Sequence, residues 1–403
     1  MAPGFKYVIP GGDESICPYM NLNQILQLVS QTTQTVIQEE APRVDREALW
    51  PEESIRAMQR NGLAGLVVPR EEGGMGQGLY ALARACETIG SVSASTALCF
   101  GMHCVGTAVI AAKATSQQRK EFLQPIAAGE HLTTLALSEP GTGSHFYFPQ
   151  TQLLLQSDDE YLIRGSKTFV TNGSKADSYV ISTMGIEPDA TLHEFSCVVV
   201  EKDRNGLEWG ADWKGLGMRG NSSRSLTLNE VRVPAHNLLG EHGDQLWYVF
   251  QVVAPFFLTA MSGTYLGIAQ AAFDNVRQHL MERTHRHSGM SLSQLALIQH
   301  RVGLLWAKIE RTRRLIYHAT ELADLSDPGA VLPILSAKAE VANCAVDVVN
   351  EAMTLAGGIA YRDNSRLDVL LRDARAAHVM APTTDLLYTW LGRALLDQPI
   401  LDS

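Results

Sequence analysis

The stretch LSEPGTGS, residues 137–144, carries the clearest indication of the fold of this chain. It directly follows an apolar run with the composition of a short β-strand. Consecutive small residues allow backbone N–H groups to approach an anion or the edge of a heteroaromatic ring closely. The stretch therefore indicates either a ligand-binding turn or an ordinary turn, and the surrounding sequence must decide between the two.

The turn lies between regions with different hydrophobic periodicity. Residues 21–132 carry apolar residues at three- and four-residue spacing, which predicts helices. Within them, residues 81–114 are apolar on almost every side, which predicts a buried central helix. Residues 133–237 contain short β-branched runs separated by Gly, Asn, Asp and Pro, which predicts a compact β-domain. Residues 238–403 return to the helical pattern.

The order of helices, strands and helices, without internal repeats, predicts an α+β protein. We expect a flexible arm over residues 1–20 and an N-terminal helical domain over residues 21–132. A middle β-domain over residues 133–237 and a C-terminal helical bundle over residues 238–403 follow.

Composition and charge exclude several classes of function. The 403 residues carry a formal net charge of −10, which argues against nucleic acid and anionic membrane surfaces as partners. The six cysteines form no Cys-x-x-Cys pair and no Cys/His metal spacing, so no metal is expected. The chain shows no signal-peptide pattern, and we expect no apolar run of the roughly 20 residues that span a bilayer. A cytoplasmic protein without membrane segments is therefore expected.

Four further motifs accompany the Gly-Ser turn. They are VVPREEGGMG at 67–76, FVTNGSKAD at 169–177, GMRGNSSRSLTLNEVRVP at 217–234 and LAGGIAYRDNSRLDVLLRDAR at 355–375. In this order, the five motifs resemble the acyl-CoA dehydrogenase family, and the resemblance extends from about residue 22 to residue 396. It implies an N-terminal helical domain, a middle β-domain and a C-terminal four-helix bundle, assembled as a homodimer or homotetramer.

The resemblance also implies a cofactor and a reaction. Family members hold FAD between the β-domain and the bundle, where it reaches a neighbouring subunit. They remove hydrogens from Cα and Cβ of an acyl thioester: a carboxylate takes the α-proton and flavin N5 takes the β-hydride. For this chain the resemblance implies FAD, an acyl-CoA or acyl-carrier-protein substrate, and room for an electron-transfer partner.

By resemblance to these motifs, ten residues are expected to contact FAD. They are Leu137, Ser138, Gly143, Ser144, Phe169, Thr171, Arg283, Gly357, Gly358 and Thr383. Phe169 stands where the family often has Trp, and Arg283 matches the Arg that reaches the FAD pyrophosphate of a neighbouring subunit. The expected substrate contacts are Phe100, Ser144, Arg224, Phe257 and Ala381.

The part of the pattern that would face the FAD adenine departs from the family. Residues 284–299 are longer than usual, and Ala296 stands where a Gln is expected. Thr354 replaces the Gln that precedes the Gly pair, and Ala360 replaces a Gly that follows it. We therefore expect FAD to bind with its AMP half held differently.

The carboxylate that removes the α-proton is missing from both of its usual family positions. The position after Arg-Asp-Ala-Arg is Ala381. The alternative position, on a bundle helix, is Phe257, and Leu258 follows where an Arg helps to seat the thioester. Because a hydrocarbon side chain cannot accept a proton, either another side chain acts or the reaction does not begin with α-proton loss.

Three side chains are candidates for a replacement base, and each also has an ordinary interpretation. His145 follows the Gly-Ser turn but can be a solvent-facing loop residue. Asp385 lies one turn beyond Ala381 but can complement a helix dipole. His378 lies three residues before Ala381 but can be a packed helix residue. His103, within the apolar segment, is expected to be a hydrogen-bonded core residue.

The sequence therefore predicts an FAD-dependent acyl-thioester oxidoreductase with a biosynthetic role and a non-standard or absent α-proton base. Two alternatives stay open. One is a flavin-dependent monooxygenase on the same fold, which needs no α-base. The other is a non-redox member of the family that binds a thioester.

Overall fold

The computed structural model describes residues 20–184, 195–363 and 365–401. Apart from Met20, the predicted arm over residues 1–20 lies outside the described residues. In the described part of the chain, helices precede and follow a β-domain, which confirms the predicted α+β order.

The N-terminal region is built around one helix that is buried on all sides. This helix, α5 (Ala94–Ala112), is the second part of the segment 81–114, which was predicted as one buried helix and which the structure divides at residues 91–93 into α4 (Leu79–Gly90) and α5. The expected core role of His103 in α5 is confirmed: its Nε2 lies 2.9 Å from the Ala64 carbonyl oxygen, and its Nδ1 accepts the Thr133 N–H. Burial lowers the pKa of His103 to about 4, so the ring is neutral. The other helices of this region are α1 (Leu22–Thr32), α2 (Gln38–Glu47), α3 (Glu52–Arg60), α4 (Leu79–Gly90), α6 (Ser116–Gln118) and α7 (Gln124–Ala127).

The described residues of the middle domain form two four-stranded sheets. The strands are β1 (Thr133–Ala136), β2 (Gln152–Ser157), β3 (Glu160–Val170), β4 (Ser178–Thr183), β5 (Ser196–Glu201), β6 (Leu207–Trp209), β7 (Arg224–Pro234) and β8 (Leu238–Leu239). One sheet has the order β1–β4–β5–β8 and the other β2–β3–β7–β6. Since β1 ends at Ala136, the Gly-Ser turn at 137–144 emerges directly from a sheet, as predicted.

The C-terminal region is a helical bundle centred on one long helix. Its helices are α8 (Gln245–Tyr248), α9 (Ala254–Glu282), α10 (Ala296–Asp324), α11 (Val331–Ala356), α12 (Arg366–Val379) and α13 (Thr384–Leu395). α9 packs against α10, α11 and α12 of the bundle and against α4 and α5 of the N-terminal region. It therefore joins the two helical regions.

A short turn at Pro382 connects α12 to α13. The Ala381–Pro382 peptide bond is cis. Thr383 is the N-cap of α13, and its hydroxyl accepts a hydrogen bond from the Leu386 N–H. This turn faces the middle domain and contributes to the cleft described below.

In the described ranges of the chain, three helical segments are long and apolar enough to cross a membrane by length and composition alone. They are Ala94–Ala112, Gln245–Glu282 and Pro328–Ile359. The expectation that no apolar run reaches this length is therefore wrong. Within the protein, 94%, 89% and 56% of the respective apolar windows are buried. Helices at the centre of a bundle are apolar on every side because they have neighbours on every side.

Glycines allow α4 and α9 to pack closely. A Cβ at Gly263 would lie 2.3 Å from the Ala83 carbonyl oxygen, and a Cβ at Gly267 would lie 2.3 Å from the Glu87 carbonyl oxygen. Both distances are too short for a real contact, so a side chain at either position would force the two helices apart.

We expect Gly263→Ala to lower the free energy of unfolding by about 1–3 kcal/mol, because overpacking shifts the backbone. Gly303→Ala on α10 is the matched control, since a Cβ there meets no described atom within 4 Å. This control should raise the free energy of unfolding by about 0.5–1 kcal/mol, because Ala favours helix interiors more than Gly. Urea denaturation measures both variants, and equal effects would contradict the close contact between α4 and α9.

Candidate active site

A cleft of about 720 Å³ lies where the N-terminal region, the middle domain and the bundle meet. Its walls come from α5, the 137–144 turn, the end of β3, the loop 213–223, the start of α9 and the α12–α13 turn. A volume of about 300–1,000 Å³ is typical of small-molecule sites. Because the walls come from six segments distant in sequence, tertiary packing alone creates the cleft.

Most of the predicted site residues line this cleft. They are Leu137, Ser138, Gly143, Ser144, Phe169, Thr171, Phe257, Ala381 and Thr383. The structure thus brings the three middle-domain motifs and the Pro382 turn together. That these residues contact FAD or substrate stays a prediction.

The 137–144 turn presents open backbone to the cleft. Gly141 and Gly143 have φ values of 85° and 54°, in the left-handed region that favours glycine. A Cβ at either position would meet no described atom within 4 Å, so the glycines serve backbone conformation here. The Ser138 carbonyl accepts the Thr168 N–H at 2.8 Å, which ties the turn to β3.

A buried ion pair under the turn was missed by the sequence analysis. Lys167 Nζ lies 2.6 Å from Glu139 Oε1 and 2.6 Å from the Ser182 carbonyl oxygen. Burial lowers the pKa of Lys167, and the Glu139 carboxylate opposes this shift. Lys167 is four residues from the apolar Ile163 in β3, so both side chains point to the same, buried face of the strand. This position could have identified Lys167 as a buried lysine from the sequence.

Glu139 lines the cleft, but its carboxylate is committed to structural hydrogen bonds. Its oxygens accept the N–H groups of Gln150 and Thr151 and the Thr151 hydroxyl, in addition to the Lys167 ammonium. Glu139 is 6% exposed. The carboxylate therefore anchors the turn to β2 and β3 and is not available as a base.

The end of β3, next to the turn, contributes an aromatic residue with unusual backbone geometry to the cleft. Phe169 has a φ of 55°, rare for an aromatic residue, and it lies at an irregularity in the pairing of β3 with β7. Its ring is 66% exposed and meets the Trp213 ring edge-on at 6.1 Å. Next to it, the Thr171 and Ser223 hydroxyls lie 3.1 Å apart. Strained residues of this kind cluster at binding sites.

Both usual positions of the catalytic carboxylate face the cleft, and both are apolar. Ala381 and Phe257 are lining residues, and Met380 lies beside Ala381. Among the described lining residues, Glu139 is the only one with an ionisable side chain. Since Glu139 is held by Lys167, the described walls present no free carboxylate to a bound molecule.

The three candidate replacement bases do not line the cleft. His145 is exposed, and its Nδ1 lies 3.0 Å from the Tyr147 hydroxyl. Asp385 is exposed in the first turn of α13, as its helix-dipole interpretation predicts. His378 lies in the last turn of α12, where burial, Arg375 and Lys338 lower its pKa. A role as base stays a prediction for each of the three.

Two predicted substrate contacts also lie elsewhere. Phe100 is 2% exposed in the core around α5 and does not line the cleft. Arg224 donates hydrogen bonds to the Gly210 carbonyl and the Ser174 hydroxyl and lies 3.3 Å from Asp212. The Arg224 guanidinium therefore holds neighbouring loops together, and its contact with a substrate stays a prediction.

A second cavity, of about 410 Å³, contains the remaining predicted residues. Arg283, Gly357 and Gly358 line it together with Arg362, which the sequence analysis missed. Gly357 has a φ of 68°, and a Cβ on either glycine would meet no described atom within 4 Å. Two guanidinium groups beside open backbone are suited to a phosphate.

Three family models match the chain. They are described as the acyl-CoA dehydrogenase N-terminal domain over residues 21–130, the middle domain over residues 134–231 and the C-terminal domain over residues 257–396. These matches agree closely with the three regions of the structure.

Similar proteins match over nearly their whole length. Cyclohex-1-ene-1-carbonyl-CoA dehydrogenase of Geobacter metallireducens is 31% identical, with 92% of this chain and 97% of the relative covered. A short-chain-specific acyl-CoA dehydrogenase of Clostridium acetobutylicum is 28% identical, with 90% and 94% covered. Butyryl-CoA dehydrogenase of Megasphaera elsdenii has a similar structure, with a TM-score of 0.87, 24% identity, and coverage of 96% of this chain and 100% of that chain.

Proposed function

The chain belongs to the acyl-CoA dehydrogenase family, and on this premise we propose that it is an FAD-dependent oxidoreductase acting on a CH–CH bond of an acyl thioester. The observation that carries the proposal is the cleft at the junction of the three domains. Its walls combine a glycine-rich turn, hydroxyl groups and aromatic rings with an apolar end.

The residues present in the cleft fit a flavin. The buried Trp213 Nε1 has no hydrogen-bond partner among the described residues and is free to donate to a ligand. Ser138 and Thr171 offer hydroxyl groups, and Phe169 offers an exposed ring that can cover a flat heterocycle. When bound, FAD supplies the hydride acceptor that none of the twenty side chains can provide.

The second cavity fits the phosphates of a dinucleotide held by a neighbouring subunit. We infer a homodimer or homotetramer in which Arg283 and Arg362 of one subunit bind the FAD pyrophosphate of the next. The departures at Ala296 and Thr354 then alter contacts on the adenine side. This inference also explains why the second cavity combines cations with glycine backbone.

The apolar end of the cleft supports an uncharged acyl group as substrate. Leu98, Met102, Phe257 and Met380 supply this surface. Leu258, at the position where an Arg would help to seat the thioester, is 1% exposed and packs in the core. The acyl group is therefore recognised by apolar contact, and its carrier is either CoA or a carrier protein. We also propose a biosynthetic role, because Leu258 in place of the thioester-seating Arg argues against an ordinary fatty acyl-CoA as substrate.

The reaction proceeds with a non-standard α-proton base or with none. Ala381 and Phe257 cannot accept a proton, and Glu139 is occupied by Lys167. What the described walls do supply is an apolar surface for the acyl group, from residues such as Leu98, Met102 and Phe257. The same observation favours a second candidate, a flavin-dependent monooxygenase, because that reaction needs no α-base.

The test is made on the purified full-length protein. A visible spectrum typical of oxidised flavin is expected. Anaerobic mixing with butyryl-CoA, with a cyclic acyl-CoA and with the same acyl groups on a carrier protein should bleach it with at least one of them. Lack of flavin would leave the non-redox interpretation. Flavin that no thioester bleaches, together with O₂ uptake that depends on NAD(P)H and a reductase, would favour the monooxygenase.

A further inference from the structure

The Arg-Asp-Ala-Arg motif on α12 contains a buried carboxylate that the proposed reaction does not use. Asp373 is 4% exposed, and its Oδ1 accepts the Met218 N–H at 2.6 Å. Met218 lines the cleft and has a φ of 46°, in the left-handed region that non-glycine residues rarely adopt. The carboxylate thus holds a strained residue of the cleft wall.

The neighbouring Arg372 holds the same wall from the adjacent position. Its guanidinium donates to the Leu216 carbonyl oxygen at 3.1 Å. It also forms a two-pronged ion pair with Asp45 of α2, at 3.0 Å and 2.7 Å. Between the two contacts lies Gly217, where a Cβ would sit 2.3 Å from the Arg372 carbonyl oxygen. Residues 216–218 are therefore held on one side by hydrogen bonds to side chains of α12 and by close packing against its backbone.

Hydrogen bonds connect residues 216–218 and the loop that follows them to other parts of the cleft wall. The Met218 carbonyl accepts the Asn221 N–H at 3.2 Å, and the Asn221 side chain lines the cleft. Gly220 N–H donates to the Ser95 hydroxyl at 3.1 Å, which ties the loop to α5. A shift at Met218 would therefore move a wall to which all three domains contribute.

We propose that Asp373 and Arg372 are positioning residues that clamp residues 216–218 against α12 and so set the width of the cleft. The proposal goes beyond the proposed reaction, since it concerns the wall in the protein with or without substrate. It also gives a role to the buried Asp373 carboxylate, whose burial lowers stability. A charged acceptor binds an N–H more strongly than a neutral one, so the carboxylate holds Met218 firmly in place.

The clamp should respond to pH because the charge of Asp373 is costly. Burial raises its pKa to about 6, while the Met218 N–H, Arg372 and Arg366 oppose the shift and Asp45 adds to it. Tyr265 on α9 also faces the carboxyl, and the charge of Asp373 adds to the rise that burial gives the pKa of Tyr265. As pH falls through about 6, Asp373 takes up a proton and its hydrogen bond to Met218 loses the assistance of the charge.

Hydrogen exchange measured by mass spectrometry tests the clamp in the full-length protein. In Asp373→Asn, protection of the Met218 amide should fall about tenfold, because a charge-assisted bond becomes a neutral one. The global unfolding midpoint should stay unchanged or rise, since a buried charge is removed. In the wild type, protection should fall between pH 7 and pH 5, whereas in Asp373→Asn it should stay constant over this range.

Asp368→Asn is the matched control, since Asp368 lies on the same helix and pairs with Arg372 but does not touch the loop. It should leave Met218 protection unchanged. If Asp373→Asn does not fold, Arg372→Lys provides the second test, because it loses the fork to Asp45 and should loosen residues 216–218 locally. Unchanged protection at Met218, or a loss spread evenly over the protein, overturns the proposal. Neither readout needs flavin, so failure of the proposed function would be seen separately in the visible spectrum.

Discussion

Replacing Ala381 by Glu should accelerate anaerobic flavin bleaching by an acyl-CoA by about 10²–10⁴-fold, the usual contribution of a general base. Ala381 lines the cleft beside Met380. The described lining residues contain no free carboxylate, so the substitution adds the one group that α-proton removal requires. Stopped-flow absorbance with butyryl-CoA and with a cyclic acyl-CoA measures the rate.

The pH dependence of this variant should identify the introduced group. A carboxyl placed among apolar side chains has a raised pKa, because burial disfavours its charged form. The gain should therefore increase with pH as the introduced carboxyl loses its proton. The wild type should lack this dependence.

Ala381→Gln is the control, because it has nearly the same shape and cannot act as a base. It should match the wild-type rate. If the Glu and Gln variants bleach equally, with flavin bound and the protein folded, then a missing base is not what limits the reaction. A carboxylate from elsewhere, or a reaction without α-proton loss, would then be the better explanation.

Lys167→Met should lower the free energy of unfolding by about 3–5 kcal/mol, because it leaves the Glu139 carboxylate buried without its partner. Lys167 has 0% exposed surface, and its ammonium lies 2.6 Å from Glu139 Oε1. The loss should concentrate at the 137–144 turn, since Glu139 also holds the N–H groups of Gln150 and Thr151. Urea denaturation gives the magnitude, and hydrogen exchange gives the location.

Lys202→Met is the matched control for burial. Lys202 also pairs with a carboxylate, Asp177, at 2.7 Å, but its side chain is 51% exposed. Exposed pairs contribute about 0–1 kcal/mol, so this variant should stay close to the wild type. The double variant Lys167→Met/Glu139→Leu should recover part of the stability, because no buried charge remains. A Lys167→Met variant as stable as the Lys202→Met control would show that Glu139 does not depend on Lys167.

Several features of this protein could be predicted from the order of its residues because they depend on local patterns. The lack of a polar stripe over residues 81–114 predicted a buried helical segment, although the break at residues 91–93 that separates α4 from α5 was not predicted. β-branched runs predicted the middle domain, and small residues after β1 predicted the 137–144 turn. The apolar residues Ala381 and Phe257 were also visible, because the resemblance to the family implies the two positions at which a carboxylate is expected.

Tertiary packing decided which charged groups would serve the fold and which would be able to meet a ligand. The Arg224 guanidinium donates to the Gly210 carbonyl oxygen. The His145 ring contacts the Tyr147 hydroxyl and does not line the cleft. Lys167 forms an ion pair with Glu139, which lies 28 residues away in the sequence. Asp373 accepts a hydrogen bond from Met218, which lies 155 residues away. The physical reason is that the interaction energy of a charged group depends on its distance to other charged and polar groups. The groups nearest to it come from segments that are distant in sequence, and only folding brings these segments together.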